Sequence, residues 1–192
     1  MLHVGLTGGL ASGKSFVGRT LAELGCYLIR ADDLGHRVLE PGGEAYQATL
    51  DLFGTVNRRA LGAQVFANPS ELEKLNALVH PAVRARGKAL AEAYFEQHPD
   101  GIAVYEAAIL IETGSYKDFD RLIVAFCREE QQVERALSRD GLTREEVLDR
   151  MRRQIPLRDK LKYADYVIDT SGSKEETVAQ TRKVFEVLNH ES

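Results

Sequence analysis

Residues 8–15 read Gly8-Gly9-Leu10-Ala11-Ser12-Gly13-Lys14-Ser15, a match to GxxxxGK[ST]. This octet constrains the chain more than any other feature. Its glycines permit a backbone in which consecutive N–H groups face one point, and a helix that follows directs its positive N-terminal end at that point. Such a nest takes a polyphosphate. The spacing places the Lys14 ammonium at the β- and γ-phosphates and offers the Ser15 hydroxyl to Mg²⁺. Gly9, Ala11, Ser12, Gly13, Lys14, Ser15 and Phe16 are the expected nucleotide contacts.

The pattern around the octet fits a loop between a strand and a helix. Leu2–Thr7 is a short apolar run, and Phe16, Val17, Thr20, Leu21 and Leu24 follow at helical spacing, with Gly25 where a C′ residue belongs. Four more runs read as strands: Cys26–Ile29, Ile102–Glu106, Arg121–Phe126 and Tyr166–Asp169. Short apolar runs alternating with helical periodicity imply an α/β chain with a mostly parallel five-stranded sheet covered by helices. Ser70 with Glu73, Thr143 with Glu146 and Ser173 with Glu176 have capping-box spacing and predict three helix starts. Glu44–Glu96 is a long helical block with no strand in it, more than a crossover needs, and is where an acceptor-binding insertion fits.

Composition narrows the partners. With 25 Lys+Arg against 29 Asp+Glu, the net charge of −4 argues against a generally basic nucleic-acid-binding surface. No apolar run reaches the roughly 18–20 residues of a membrane span, and Met1-Leu2-His3 lacks the basic, then apolar, start of a signal peptide. The chain reads as cytoplasmic, with neither a nucleic acid nor a membrane expected as a partner. Cys26 and Cys127, far apart and without a CxxC or a nearby His, read as small buried thiols.

A phosphate loop alone does not separate a kinase from a switch or a motor. No guanine-selective NKxD is present, and 192 residues are few for a motor. Asp32 and Asp33 follow the second strand, on the sheet edge where ligands bind in such folds; either serves as a base for an attacking hydroxyl or as a plain helix cap. Glu106 and Glu112, at and after the third strand, fit a metal shell or a structural role equally well. Residues 135–162 carry nine positive charges against five negative, a segment of +4 that leaves −8 on the remainder. The run reads as a solvated helical face or as a lid whose arginines close over a triphosphate, with Arg139 the first choice for the transferring group.

The ordered set of motifs resembles dephospho-CoA kinases over nearly the whole chain. It comprises Leu6–Ser15, Arg30-Ala31-Asp32, Glu40-Pro41-Gly42, Phe66-Ala67-Asn68-Pro69, Leu75–Pro81, Ile109–Glu112, Arg139–Arg144 and Ala164–Asp169. The resemblance implies a three-layer P-loop kinase fold, with helices on both faces of the sheet, an acceptor-binding helical region at about 44–96 and a lid at about 129–160, all within one domain 1–192. It implies transfer of the ATP γ-phosphoryl group to the ribose 3′-hydroxyl of dephospho-CoA, the last step of coenzyme A synthesis, with ATP and Mg²⁺ required. Carried over residue by residue, it makes Asp32 the general base, Lys14 and Arg139 catalytic, and His80 with Arg84 part of the acceptor side. Without it, His80 before Pro81 reads as a helix start. The sequence departs from the family pattern at Arg30, which replaces the first Asp of a pair, and at Ala11, Phe16, Ala108 and Thr170.

Overall fold

The computed structural model describes residues 1–66 and 68–192, and of Phe66 and Asp140 the backbone only. Ala67, inside the Phe66–Pro69 motif, lies outside the described residues. The chain forms two compact units. One comprises Met1–Ile29 and Ala93–Ser192, the other Arg30–Glu92.

The first unit is built on five strands, β1 (Leu2–Gly8), β2 (Tyr27–Arg30), β3 (Ile102–Glu106), β4 (Arg121–Phe126) and β5 (Tyr166–Asp169), in the order β2-β3-β1-β4-β5. β1 pairs in parallel with β3, Leu6 facing Glu106, and with β4, Gly8 facing Ala125; β4 pairs in parallel with β5, Phe126 facing Asp169. Parallel pairing needs a crossover between strands and buries both faces. Strand alternation assigns the faces. Leu2, Val4 and Leu6 point to one side, where they pack with Ile102, Val104, Ile123 and Ile168 of the other strands and with Val17, Leu21 and Leu188. Val17 and Leu21 come from α1 (Lys14–Glu23) and Leu188 from a long last helix, Lys174–Glu191, which runs alongside α1. On the opposite side His3 meets the rings of Phe95 and Phe119, and Tyr105 stacks on Phe119. Helical layers therefore flank a parallel sheet.

The second unit is helical. It holds α2 (Ala31–Arg37), α3 (Tyr46–Phe53), α4 (Arg58–Phe66) and most of α5 (Pro69–Gln97). The remaining helices of the first unit are α6 (Glu129–Asp140), α7 (Arg144–Arg152), α8 (Leu157–Lys160) and α9, the Lys174–Glu191 helix already described.

Local signals in the sequence agree with the structure at most positions and fail at three. Thr143 and Ser173 form complete capping boxes with Glu146 and Glu176. Gly25 follows α1 with φ +111°, as a C′ glycine does. The second strand starts one residue later than expected, because the Cys26 amide is taken by Leu21 O in the helix-closing turn. Ser70 is not a cap. α5 begins at Pro69, and the Asn68 carboxamide accepts the Ser70 amide at 3.1 Å, so the Asn-Pro pair supplies both cap and first residue. His80 is not a helix start either: α5 runs through Pro81, and its buried Val83, Gly87 and Ala91 recur every fourth residue beyond it. One apolar stripe outweighs one missing hydrogen bond. Cys26 and Cys127 are free and buried as expected, and burial pushes the Cys26 thiol up to about 12.

Asn68→Ala is expected to cost about 1 kcal/mol in urea unfolding, the usual loss for an N-cap, and Ser70→Ala less than about 0.5 kcal/mol. Equal effects from the two variants contradict the cap assignment.

Candidate active site

β1 ends at Gly8 and α1 begins at Lys14, so the loop between them lies at the C-terminal edge of the sheet, where parallel α/β proteins bind ligands. Its conformation explains its composition. Gly13 has φ +84°, and a Cβ there would sit 2.9 Å from Thr170 Oγ1. Ala11 has φ +53° and is the only non-glycine with positive φ among the described residues, which is why a glycine is common at this position in the family pattern. A Cβ on Gly8 would collide with Ser12 Oγ. That hydroxyl is buried and has no hydrogen-bond partner among the described residues, a donor set inside the loop. The Phe16 and Val17 amides bond Gly13 O at 2.9 and 3.1 Å and start α1.

Glu106, last residue of β3 and paired in register with Leu6, reaches under this loop. Its Oε1 accepts Lys14 Nζ at 2.8 Å and Ser15 Oγ at 2.6 Å, with both charged side chains buried. Gly18 makes this possible. A Cβ on it would lie 2.8 Å from Glu106 Oε2, so a glycine in the middle of α1 trades helix propensity for room. The hydroxyl of Ser15 and the carboxylate of Glu106 are hard oxygen donors of the kind Mg²⁺ takes. No group of three or more His, Cys, Asp or Glu able to hold a metal occurs among the described residues.

A second buried cation lies nearby. Lys160, at the end of α8, is fully buried and donates to Gly8 O at 3.2 Å, Ala108 O at 2.8 Å and Glu112 Oε1 at 2.7 Å. Glu112 Oε1 also accepts the Ile155 amide. Burial pulls the Lys160 ammonium below its ordinary value; the Glu112 carboxylate pulls it back, and Lys14 opposes. This lysine belongs to the basic run that reads as a solvated helical face or as a lid, and the charge pattern does not foretell its burial. Gln132 of α6 donates to Leu10 O, Gln154 accepts the Leu10 amide, and Thr170 donates to Ser12 O. Leu10 and Ala11 pack on the small apolar cluster of Val133, Ala136 and Val147 that joins α6 to α7. A cavity of about 700 Å³ opens beside Gly9, lined also by Arg128, Gln132, Gln154, Leu157 and Arg158.

The structure thus brings together Gly9, Ala11, Ser12, Gly13, Lys14, Ser15 and Phe16 with Glu106. Arg139 lies exposed in the last turn of α6. The other expected site residues belong to the second unit. Asp32 and Asp33 are exposed in the first turn of α2, where the helix dipole favours carboxylates; neither is the N-cap, which is Arg30, and Asp33 pairs with Arg30 at 3.5 Å. His80 and Arg84 lie one turn apart on α5. The contacts of Gln132, Gln154 and Lys160 with the loop escaped sequence reasoning. The one local hint is Lys160 between Leu157 and Leu161, an apolar setting for a charge.

A phosphate loop between the central strand and α1, with its lysine and serine on a strand-end carboxylate, defines the class: a P-loop nucleotide-binding protein. The comparisons narrow this. A family model described as Dephospho-CoA kinase matches residues 2–176. A Dephospho-CoA kinase from Aquifex aeolicus is 37% identical over 199 residues that cover 100% of both chains. That of Geobacter metallireducens is 42% identical over 190 residues, 94% of this chain and 93% of its own. Among solved structures, TT1252 from Thermus thermophilus aligns with a TM-score of 0.81 and 31% identity over 97% of this chain and 96% of its own. Shikimate kinase from Acinetobacter baumannii, at 17% identity and a TM-score of 0.58 over 100% and 95% of the two chains, shares the fold. The chain belongs to the dephospho-CoA kinase family.

Burial, and then the Arg84 guanidinium, lower the pKa of half-buried His80, so the folded protein holds it neutral at neutral pH. As pH falls, the unfolded chain takes up that proton first. The stability present above the ordinary histidine value is lost as pH falls through the lowered one. His3, also lowered chiefly by burial, acts in the same direction. The thermal midpoint is expected to decline from pH 7.5 to pH 5, and to decline less in His80→Gln; identical pH profiles contradict the assignment.

Proposed function

We propose that this chain transfers the γ-phosphoryl group of ATP to the ribose 3′-hydroxyl of dephospho-CoA, giving coenzyme A and ADP, and that it does so as one kinase domain over 1–192. The observation that carries the reading is the convergence of Lys14 and Ser15 on one Glu106 oxygen at the start of α1, in a chain of this family. The loop amides and the α1 N-terminus bind the phosphates, and the Lys14 ammonium offsets charge that grows between the β- and γ-phosphates. Mg²⁺, when bound, screens those phosphates, and Ser15 Oγ with Glu106 beside it would hold it. Asp32 takes the proton of the 3′-hydroxyl as the oxygen attacks phosphorus. His80, held neutral, hydrogen-bonds the acceptor, and Arg84 supplies charge for its phosphates. Residues 129–160 act as the lid, with Arg139 on the transferring group, and the helical region at about 44–96 binds the acceptor.

The setting is consistent with this chemistry. No helix among the described residues is long and apolar enough to cross a membrane. A cytoplasmic location, where ATP is abundant, fits two free cysteines. ATP and dephospho-CoA are then the partners, with neither a nucleic acid nor an obligate protein partner required.

The deciding assay is ADP release with Mg-ATP against dephospho-CoA, AMP, CMP, shikimate and gluconate. Turnover with dephospho-CoA alone is expected; turnover only with another acceptor overturns the reading. Lys14→Ala should lower kcat by about 10²–10³-fold in a folded protein. Asp32→Asn should lower kcat by about 10²–10⁴-fold with nucleotide affinity little changed, and Asp33→Asn far less. Equal damage from the two removes Asp32 as the base.

Arg139→Ala should depress the single-turnover rate strongly, and Arg139→Lys should restore part of it, because a point charge does not reproduce a planar fork of donors. Exposed Arg153 is the control, at less than about 1 kcal/mol. An Arg139→Ala rate no lower than that of Arg153→Ala leaves the α6–α7 charges as a solvated face.

A further inference from the structure

Three carbonyls of the phosphate loop, at alternate residues, are each held by a side chain from elsewhere in the chain. Gly8 O accepts Lys160 Nζ at 3.2 Å, Leu10 O accepts Gln132 Nε2 at 2.8 Å, and Ser12 O accepts Thr170 Oγ1 at 2.7 Å. The donors come from α8, from α6 and from the residue after β5. They are 0%, 3% and 5% exposed, so water does not compete for these bonds, and each donor would be costly to leave unpaired.

The alternation has a consequence for the amides. A peptide unit is planar, none among the described residues is cis, and in a trans unit the C=O and the following N–H point in opposite directions. Fixing Leu10 O on Gln132 therefore turns the Ala11 amide the other way, and fixing Ser12 O on Thr170 does the same for the Gly13 amide. Neither amide donates to another protein group among the described residues. Ala11 and Gly13 are also the two loop residues with positive φ, +53° and +84°, and such alternation makes an anion-binding concavity of successive N–H groups. Lys160 holds the carbonyl at which the chain leaves β1 and enters the loop.

We propose that Gln132, Thr170 and Lys160 are positioning residues for the phosphoryl donor: by holding alternate carbonyls outward, they preset the loop amides that receive the triphosphate. A loop without these tethers samples rotated peptides that present a carbonyl to the phosphates, and the affinity falls with the fraction in the competent arrangement. Arg135 braces the Thr170 tether. Its guanidinium donates to Thr170 O at 2.6 Å and to Oγ1 at 3.2 Å, which leaves the hydroxyl proton for Ser12 O, with Phe126 O a second acceptor at 3.1 Å. The inference rests on the reading that the loop holds a triphosphate.

The experiment measures dissociation constants of Mg-ATP and of inorganic tripolyphosphate by calorimetry on the full chain, alongside thermal midpoints. Thr170→Val keeps the side-chain shape and removes the donor, Gln132→Leu does the same on α6, and Lys160→Met is made together with Glu112→Gln so that no buried carboxylate is left unpaired. Thr170→Val and Gln132→Leu should each raise both dissociation constants about tenfold, as expected when about a tenth of the loops stay competent, while the thermal midpoint changes little. Tripolyphosphate reports on the loop alone, since it lacks base and ribose. Parent-like affinity for tripolyphosphate in both variants overturns the positioning role, whatever happens to the midpoint, and leaves the kinase reading standing. A parent chain that binds neither ligand overturns both. Should Thr170→Val fail to fold, Gln132→Leu and the Lys160→Met/Glu112→Gln pair decide by the same criterion.

Discussion

The Lys160 ammonium is the interaction on which the site edge of the sheet depends. Taking a charge out of water costs several kcal/mol, and the cost is offset only when geometry is good and every donor is used. Here three N–H donors meet three acceptors, on Gly8, Ala108 and Glu112, so one side chain ties the end of β1, the segment after β3 and the short helix α8 into a single knot. Thr7 Oγ1 adds a bond to the same Ala108 carbonyl. Because Glu112 also caps the Ile155 amide, the chain leaving α7 is fixed to that knot as well.

Parallel pairing supplies the rest of the arrangement. The registers of β1 with β3 and β4, and of β4 with β5, deliver Gly8, Glu106, Phe126 and Asp169 to one edge, and the loops that leave those strands meet there. Two lysines share that edge, and each has its own carboxylate: Lys14 with Glu106, Lys160 with Glu112. Their roles differ by position. Lys14 opens α1 beside the loop, whereas Lys160 is held by the backbone carbonyls of Gly8 and Ala108. Burial lowers the basicity of Lys160, the Glu112 carboxylate opposes that, and the charge of Lys14 adds to the lowering.

Local rules worked where one residue type has one physical use. Thr143 and Ser173 cap helices because their hydroxyls reach an N3 amide, and the loop glycines sit where a Cβ is strained or excluded. The rules failed where two local signals competed. At 68–70, Asn-Pro outcompeted Ser as the start of α5, and at 80–81 the buried stripe of Val83, Gly87 and Ala91 in a helix of 29 residues overrode a proline. Charge pattern failed for a different reason. Arg152, paired with Asp149 in solvent, and Lys160, buried against three acceptors, are indistinguishable as members of a basic run.

The sequence by itself determined the five strands, the phosphate loop between the first strand and helix, and the family, because each is written in contiguous residues with a fixed period or spacing. Only the tertiary structure decided what the loop leans on. Gln132, Gln154, Lys160 and Thr170 lie 122, 144, 152 and 158 positions from the loop residues they bond, and Glu106 reaches Lys14 across 92 positions. A long-range hydrogen bond depends on where the fold places a donor. The residue type alone does not encode it, since a glutamine on a polar helix looks the same whether it faces water or a carbonyl of the phosphate loop.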